Sequence, residues 1–178
     1  MQRVVIVGTT GSGKSVLAQR LARCLDAAYV ELDALHWEPD WQMPPPDSFR
    51  ARVVEALDHE RWVVAGNYSK VRDLIWSQAD TLVWLDYGLP IVFWRLLRRT
   101  IQRIITKEDL WNTGNRETWR KQFFSRDSLF VWVLRSRPYQ RLTYSQFFQQ
   151  PEYCHLHVVH LNSPRETEKW VKSVMSKG

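Results

Sequence analysis

Residues 8–15 read Gly-Thr-Thr-Gly-Ser-Gly-Lys-Ser and satisfy the pattern G-x-x-x-x-G-K-[ST] at every fixed position. The pattern constrains the local fold because its chemistry needs a strand, a glycine-rich bend and a helix in that order. Residues 3–7, Arg-Val-Val-Ile-Val, are a β-branched run that reads as a buried strand. Val16, Leu17, Leu21, Cys24 and Leu25 recur at three- and four-residue spacing, which predicts a helix over 16–25 with these five on its inner face. Gly8, Gly11 and Gly13 allow positive φ and close backbone approach. Successive N–H groups then form an anion nest, reinforced by the positive end of the helix. Gly8, Thr9, Thr10, Gly11, Ser12, Gly13, Lys14, Ser15 and Val16 are thus the candidate nucleotide-binding residues, with Lys14 reaching the outer phosphates and the Ser15 hydroxyl ligating Mg²⁺.

The rest of the chain alternates in type. Residues 28–32 read as a second strand ending at Asp33, and three prolines in 36–46 predict a loop. Asp47 is placed to cap a helix to about residue 58, with Phe49, Val53, Val54 and Leu57 inward. Strands follow at 62–66 and 81–85, with a short helix over 69–77 between them and Asp86 at the end of the fourth strand. A long amphipathic helix after Pro90 carries Arg95, Arg98, Arg99 and Arg103, and residues 107–115 break it. A helix over 116–135 is expected to stop before Pro138, with another over 142–149. A fifth strand spans 156–161, and Ser163-Pro164-Arg165-Glu166 is a capping box that opens the last helix. Five apolar strands alternating with helices imply an α/β fold whose parallel sheet is covered on both faces. Ligands of such sheets bind at the carboxyl ends of the strands, which puts Gly8–Ser15, Asp33, Gly66-Asn67 and Asp86 on one rim.

The length of 178 residues suits a single domain, 1–178, with its own core. No apolar run approaches a membrane span, and a motif beginning at residue 8 leaves no room for a secretory leader. With two cysteines, Cys24 and Cys154, and no metal-type spacing, a cytoplasmic protein with reduced thiols is expected. The net charge of +6 is unevenly placed: residues 95–141 hold twelve Lys/Arg against four Asp/Glu. A lid that clamps polyphosphate and a nucleic-acid surface both predict such a segment. His155, His157 and His160 lack any Cys or carboxylate spacing of a metal site, and Trp62, Trp84, Trp132 and Trp170 sit at packing positions.

Together with the glycine-rich motif, the stretches Leu32-Asp33-Ala34-Leu35-His36-Trp37, Trp62-Val63-Val64-Ala65-Gly66-Asn67-Tyr68-Ser69, Ala79-Asp80-Thr81-Leu82-Val83-Trp84-Leu85-Asp86 and Leu110-Trp111-Asn112-Thr113-Gly114-Asn115-Arg116-Glu117 make the chain resemble a P-loop kinase of the nucleoside monophosphate kinase type. Within that group it is similar to adenylate-kinase-related bacterial "DNA topology modulation" (FlaR-like) proteins. The resemblance implies a three-layer α/β/α P-loop NTPase with strand order 2-3-1-4-5, a helical lid over about 107–119 and an acceptor region over about 33–60. It also implies ATP and Mg²⁺ as cofactors and a small-molecule acceptor, either a nucleoside monophosphate or a hydroxylated metabolite. One departure stands out: such kinases carry Asp, which orients Mg²⁺ waters, where this chain has Ala65. Asp33 is the replacement expected from the resemblance, and Asp86 is the second candidate.

The remaining site residues follow from these two lines of reasoning. Arg95 and Arg99 share a helical face, and Arg116 would swing over the phosphates, so Lys14, Asp33, Arg95, Arg99 and Arg116 are the candidate catalytic set. Asp33 would position or deprotonate an acceptor hydroxyl, or else cap the following segment. His36, Trp37, Asn67, Tyr68 and Arg72 would line the acceptor site with it. Trp111 and Trp119 either cover the base or pack, and packing is favoured for Trp119. Two readings stand beside the kinase: an ATP-binding regulatory protein whose basic helices lie on nucleic acid, and a degenerate kinase that only hydrolyses ATP slowly, as Ala65 suggests.

Overall fold

The computed structural model describes residues 1–123 and 128–176, without the Lys121 side chain. Five strands form one parallel sheet: β1 (Arg3–Gly8), β2 (Ala28–Glu31), β3 (Trp62–Ala65), β4 (Thr81–Leu85) and β5 (His157–Leu161), in the order β2-β3-β1-β4-β5. Among the described residues eight helices surround it: α1 (Lys14–Leu25), α2 (Leu32–His36), α3 (Pro46–Ala56), α4 (Arg72–Trp76), α5 (Leu89–Thr106), α6 (Trp119–Phe123), α7 (Leu129–Phe147) and α8 (Pro164–Met175). Alternation along the strands sends side chains to two cores, as the near-continuous apolar sequence of a doubly covered sheet requires. Val4, Ile6, Val63, Ala65, Val83 and Leu85 pack under α1, α5 and α8. Val5, Val7, Val30, Trp62, Val64, Leu82 and Trp84 pack against α3, α4 and the end of α7.

The sheet is pinned at its start by Asp80. Its carboxylate accepts from the N–H groups of Gln2 (2.6 Å) and Arg3 (2.9 Å) and from the Thr81 hydroxyl (2.6 Å). Burial opposes ionisation, but these hydrogen bonds outweigh it and hold the carboxyl below its ordinary value. Such a group stabilises the fold fully above its unfolded pKa, at about 4, and ceases to as the pH falls through the folded value. Asp80→Asn is expected to cost about 1–3 kcal/mol at neutral pH. Urea midpoints of variant and wild type should converge as the pH falls through the folded value of the Asp80 carboxyl; an equal gap at neutral pH and in acid would contradict the assignment.

Several local expectations give way. Residues after β2 turn at once into α2, and a short 3₁₀ turn at Pro39–Trp41 interrupts the proline-rich loop. Helix α3 opens on Pro46 at its first position rather than on Asp47 as cap, because proline's fixed φ and missing N–H suit that site. Phe49, Val53 and Leu57 are buried, but Val54 is exposed. On α1, Leu17, Ala18, Leu21 and Ala22 form the inner face, while Val16 and Cys24 face solvent. The 116–135 helix is not continuous: residues 116–118 are not helical, Ser128 is the non-helical cap from which α7 starts, and 124–127 lie outside the described residues. Pro138 lies inside α7 instead of ending a helix, and the separate 142–149 helix is the continuation of α7. Burial of Val133 and Tyr144 on either side anchors both halves, which offsets the hydrogen bond that proline forfeits. Trp132 and Trp119 are exposed rather than packed in the core, Trp119 stacking only on Phe123.

Candidate functional site

Because the strands are parallel, the ends of β1, β2, β3 and β4 share one rim, marked by Gly8, Glu31, Ala65 and Leu85. The chain leaves β1 at Gly8 and enters α1 at Lys14 through Gly13, a left-handed N-cap (φ 97°, ψ 24°). No side chain caps this helix, so its first N–H groups face the loop. Lys14 folds back into the bend, where Nζ donates to the carbonyls of Gly8 (2.9 Å) and Thr9 (3.2 Å). Burial lowers its pKa; Asp33 and Glu31 oppose that shift and Arg99 adds to it. Ser12 and Thr9 are buried with side-chain hydroxyls that lack a partner among the described residues.

Helix α5 supplies the cationic wall. Arg95 Nη1 donates to the Ser12 carbonyl at 3.0 Å, and its guanidinium lies 5.3 Å from the Tyr87 ring centroid. One turn on, Arg99 is half-buried, and its Nε has no hydrogen-bond partner among the described residues. Burial, then Arg103, lowers its pKa, while Glu117 and Asp33 oppose. A Cβ on Gly13 would touch only Arg95 Nη1, at 3.1 Å, so the mouth of the bend is open apart from that arginine.

Two carboxylates stand at the end of β2, Glu31 within it and Asp33 just beyond, and each takes a tyrosine hydroxyl. Tyr68 donates to Asp33 Oδ1 at 2.6 Å. Tyr29 donates to Glu31. Burial raises the Glu31 carboxyl above its ordinary value, and the nearby Ser15 side chain and Tyr29 hydroxyl offset it. Burial likewise raises both phenols, so each remains a donor at neutral pH. Glu31 was not among the sequence candidates. The available signal was a glutamate two residues before Asp33, but only strand register sets it beside Ala65.

Other candidates serve the scaffold. Asn67 clamps the start of the bend: its Oδ1 accepts from Gly8 N–H at 3.0 Å and its amide donates to the Gly8 carbonyl. His36 is buried against Phe49, Tyr68 and Trp37, and burial followed by Lys70 pushes its imidazole down, so it packs rather than lines a cleft. Arg72 lies over the rings of Phe147 (4.2 Å) and Trp76 (5.1 Å) and ties α4 to α7 instead of holding an anion. Asp86 is no free metal ligand, because Arg141 Nε contacts both its oxygens at 2.8 Å and Arg137 and His160 stand at 3.5 and 3.4 Å. Trp37 stays half-buried beside Asp33's helix.

Residues 107–118 contain no helix; an antiparallel bridge between Leu110 and Asn115 closes them. Buried Asn115 accepts from the Trp41 N–H (2.9 Å) and donates to the Glu38 carbonyl (2.8 Å), and the Trp111 ring meets Trp41 edge-on. The expected lid is therefore latched to the acceptor-side loop. Glu117 is buried against Arg103 (3.1 Å), and Arg116 is exposed at the edge.

Two solved structures share this fold. A shikimate kinase from Bacteroides thetaiotaomicron superposes with a TM-score of 0.55 at 15% identity, covering 99% of this chain and 97% of that one. A gluconokinase from Sinorhizobium meliloti 1021 gives 0.51 at 18% identity, covering 99% and 94%. At these identities the likeness establishes the fold. No protein-family model matches the chain, and no curated protein sequence matches it.

Proposed function

We infer that the protein is a P-loop kinase that transfers the γ-phosphoryl group of Mg-ATP to a small molecule. The observation that carries this reading is the geometry of the glycine-rich bend: Lys14 Nζ folds onto the Gly8 and Thr9 carbonyls, α1 opens through left-handed Gly13 with no side chain capping it, and Arg95 bonds the Ser12 carbonyl beside them. The residues suit a triphosphate: the Gly8–Val16 backbone offers N–H groups, Lys14 has only neutral carbonyls as hydrogen-bond partners, and buried hydroxyls of Thr9 and Ser12 flank them. The oxygens of Ser15, Glu31 and Asp33 suit a hard cation, which needs few protein ligands. Magnesium held there would neutralise charge on the phosphates.

Within this frame the chain's own groups divide the work. Lys14, Arg95 and Arg99 stabilise charge on the transferring group, and Arg116 joins them if the lid swings inward. Asp33, oriented by Tyr68, holds the acceptor hydroxyl or takes its proton. Trp37 forms part of the acceptor wall. The neighbours' printed names support an acceptor of the hydroxylated-metabolite kind; a nucleoside monophosphate is the alternative suggested by the resemblance to adenylate-kinase-related "DNA topology modulation" proteins. The nucleic-acid reading is weakened by where the arginines go. Arg95 bonds the bend, Arg99 is half-buried, Arg103 pairs with Glu117, and Arg137 and Arg141 pair with Asp86. No described helix is long and apolar enough to cross a membrane.

A screen of ATP consumption over pools of hydroxy acids, sugars and nucleoside monophosphates tests the reading. At least one pool should accelerate consumption well above the acceptor-free rate. If none does, the degenerate-ATPase reading replaces transfer.

A further inference from the structure

The structure departs from the sequence expectation most informatively at Ala65. This residue is fully buried under α1, in register with Glu31 on the neighbouring strand. In-register neighbours of a parallel pair project to the same face, so Glu31 and Ala65 both point toward α1. Tyr29, two residues before Glu31, projects to that face too and packs on the same cluster. Ala65 presents a methyl group where an aspartate would present a carboxylate, and Glu31, in register on the neighbouring strand, brings a carboxylate near Ser15. A glutamate with several free torsions gains little by being near; it must be held. The Tyr29 hydroxyl donates to one Glu31 oxygen, and Ser15 lies near enough to favour the ionised form of the same carboxylate.

Resting on the kinase reading above, we propose that Tyr29 is a positioning residue which locks Glu31 against Ser15, so that Glu31 replaces, from β2, the magnesium-orienting carboxylate that β3 lacks at Ala65. Tyr29 itself touches neither nucleotide nor metal. Its effect passes through Glu31, as outer partners of metal-binding groups act through the groups they orient.

The test is calorimetric binding of the non-hydrolysable analogue β,γ-imido-ATP, with EDTA and across a magnesium series, to wild type, Tyr29→Phe, Glu31→Gln and the double variant. Wild type should bind more tightly with magnesium. Tyr29→Phe removes a single oxygen; it should keep the metal-free affinity but need about tenfold more magnesium for half of the enhancement. Glu31→Gln should lose at least as much, and the double variant should match Glu31→Gln, because the two act as one unit. Glu31→Asp, which draws the carboxylate back from both hydroxyls, should show the same magnesium defect and serves if Tyr29→Phe proves unstable. A wild-type magnesium response in Tyr29→Phe overturns the proposal alone, as does an equal loss of affinity with and without metal, or additive losses in the double variant. Failure of wild type to bind the analogue under any condition overturns the kinase reading and the proposal together.

Discussion

Lys14→Ala is expected to reduce phosphoryl transfer by about 10²–10³-fold, the loss that follows removal of one preorganised donor at a developing charge. Lys14 Nζ is held by the carbonyls of Gly8 and Thr9, at the start of the bend whose N–H groups face the same space. Arg95 and Arg99 reach the same region from α5, but Arg95 already donates to the Ser12 carbonyl. Folding should be nearly indifferent. The ammonium is disfavoured by burial, as its lowered pKa shows, and alanine is the better helix former at a first-turn position. A melting temperature close to wild type with transfer abolished is therefore the expected pair of results, in steady-state assays with the acceptor found by screening. Wild-type turnover in this variant would show that the bend does not hold the transferring phosphates.

The largest effect on stability is expected from Gly8→Ala. Gly8 ends β1 at φ +148°, where an L side chain is strained, and a Cβ there would lie 2.5 Å from the Leu85 carbonyl oxygen and 3.0 Å from Ser12 Oγ. The serine hydroxyl can rotate away, but the carbonyl cannot: Leu85 is in register with Gly8 on one side and Leu161 on the other. Backbone strain and overpacking together should cost about 3–5 kcal/mol, a large part of the roughly 5–15 kcal/mol that holds a domain together. Thermal unfolding should begin about 10 °C lower. Nucleotide binding should fall as well, because Asn67 grips both polar groups of Gly8 and would be displaced with it. An unshifted melting curve would mean that the turn accommodates a side chain and that the glycine serves only the ligand.

Legibility differed by the range over which each signal acts. The strands at Arg3–Gly8, Trp62–Ala65 and Thr81–Leu85 announce themselves because β-branched runs act within a few residues. The capping box at Ser163 is equally local, and there the Ser163 hydroxyl accepts from Glu166 N–H while the Glu166 carboxylate accepts from Asn162 N–H. Pro138 misled because its local preference for ending a helix was outweighed by packing on both flanks. Asn67 and Asp86 stand at strand ends on the rim, but their partners, Gly8 and Arg141, lie 59 and 55 residues away, beyond the reach of any local signal.

The chain's own order of residues thus determined the strand-bend-helix unit, the cationic and carboxylate groups available to it, and the alternation that builds a parallel sheet. The tertiary structure alone decided which of those groups are free to act. It paired Asp86 with Arg141, Asn67 with Gly8 and Arg72 with the ring of Phe147, latched residues 109–115 to the loop at 38–41, and set Glu31 in register beside Ala65. The physical reason is that backbone preference is set by nearest neighbours, whereas a polar side chain's role is set by whichever partner the packing of distant segments brings within hydrogen-bonding reach.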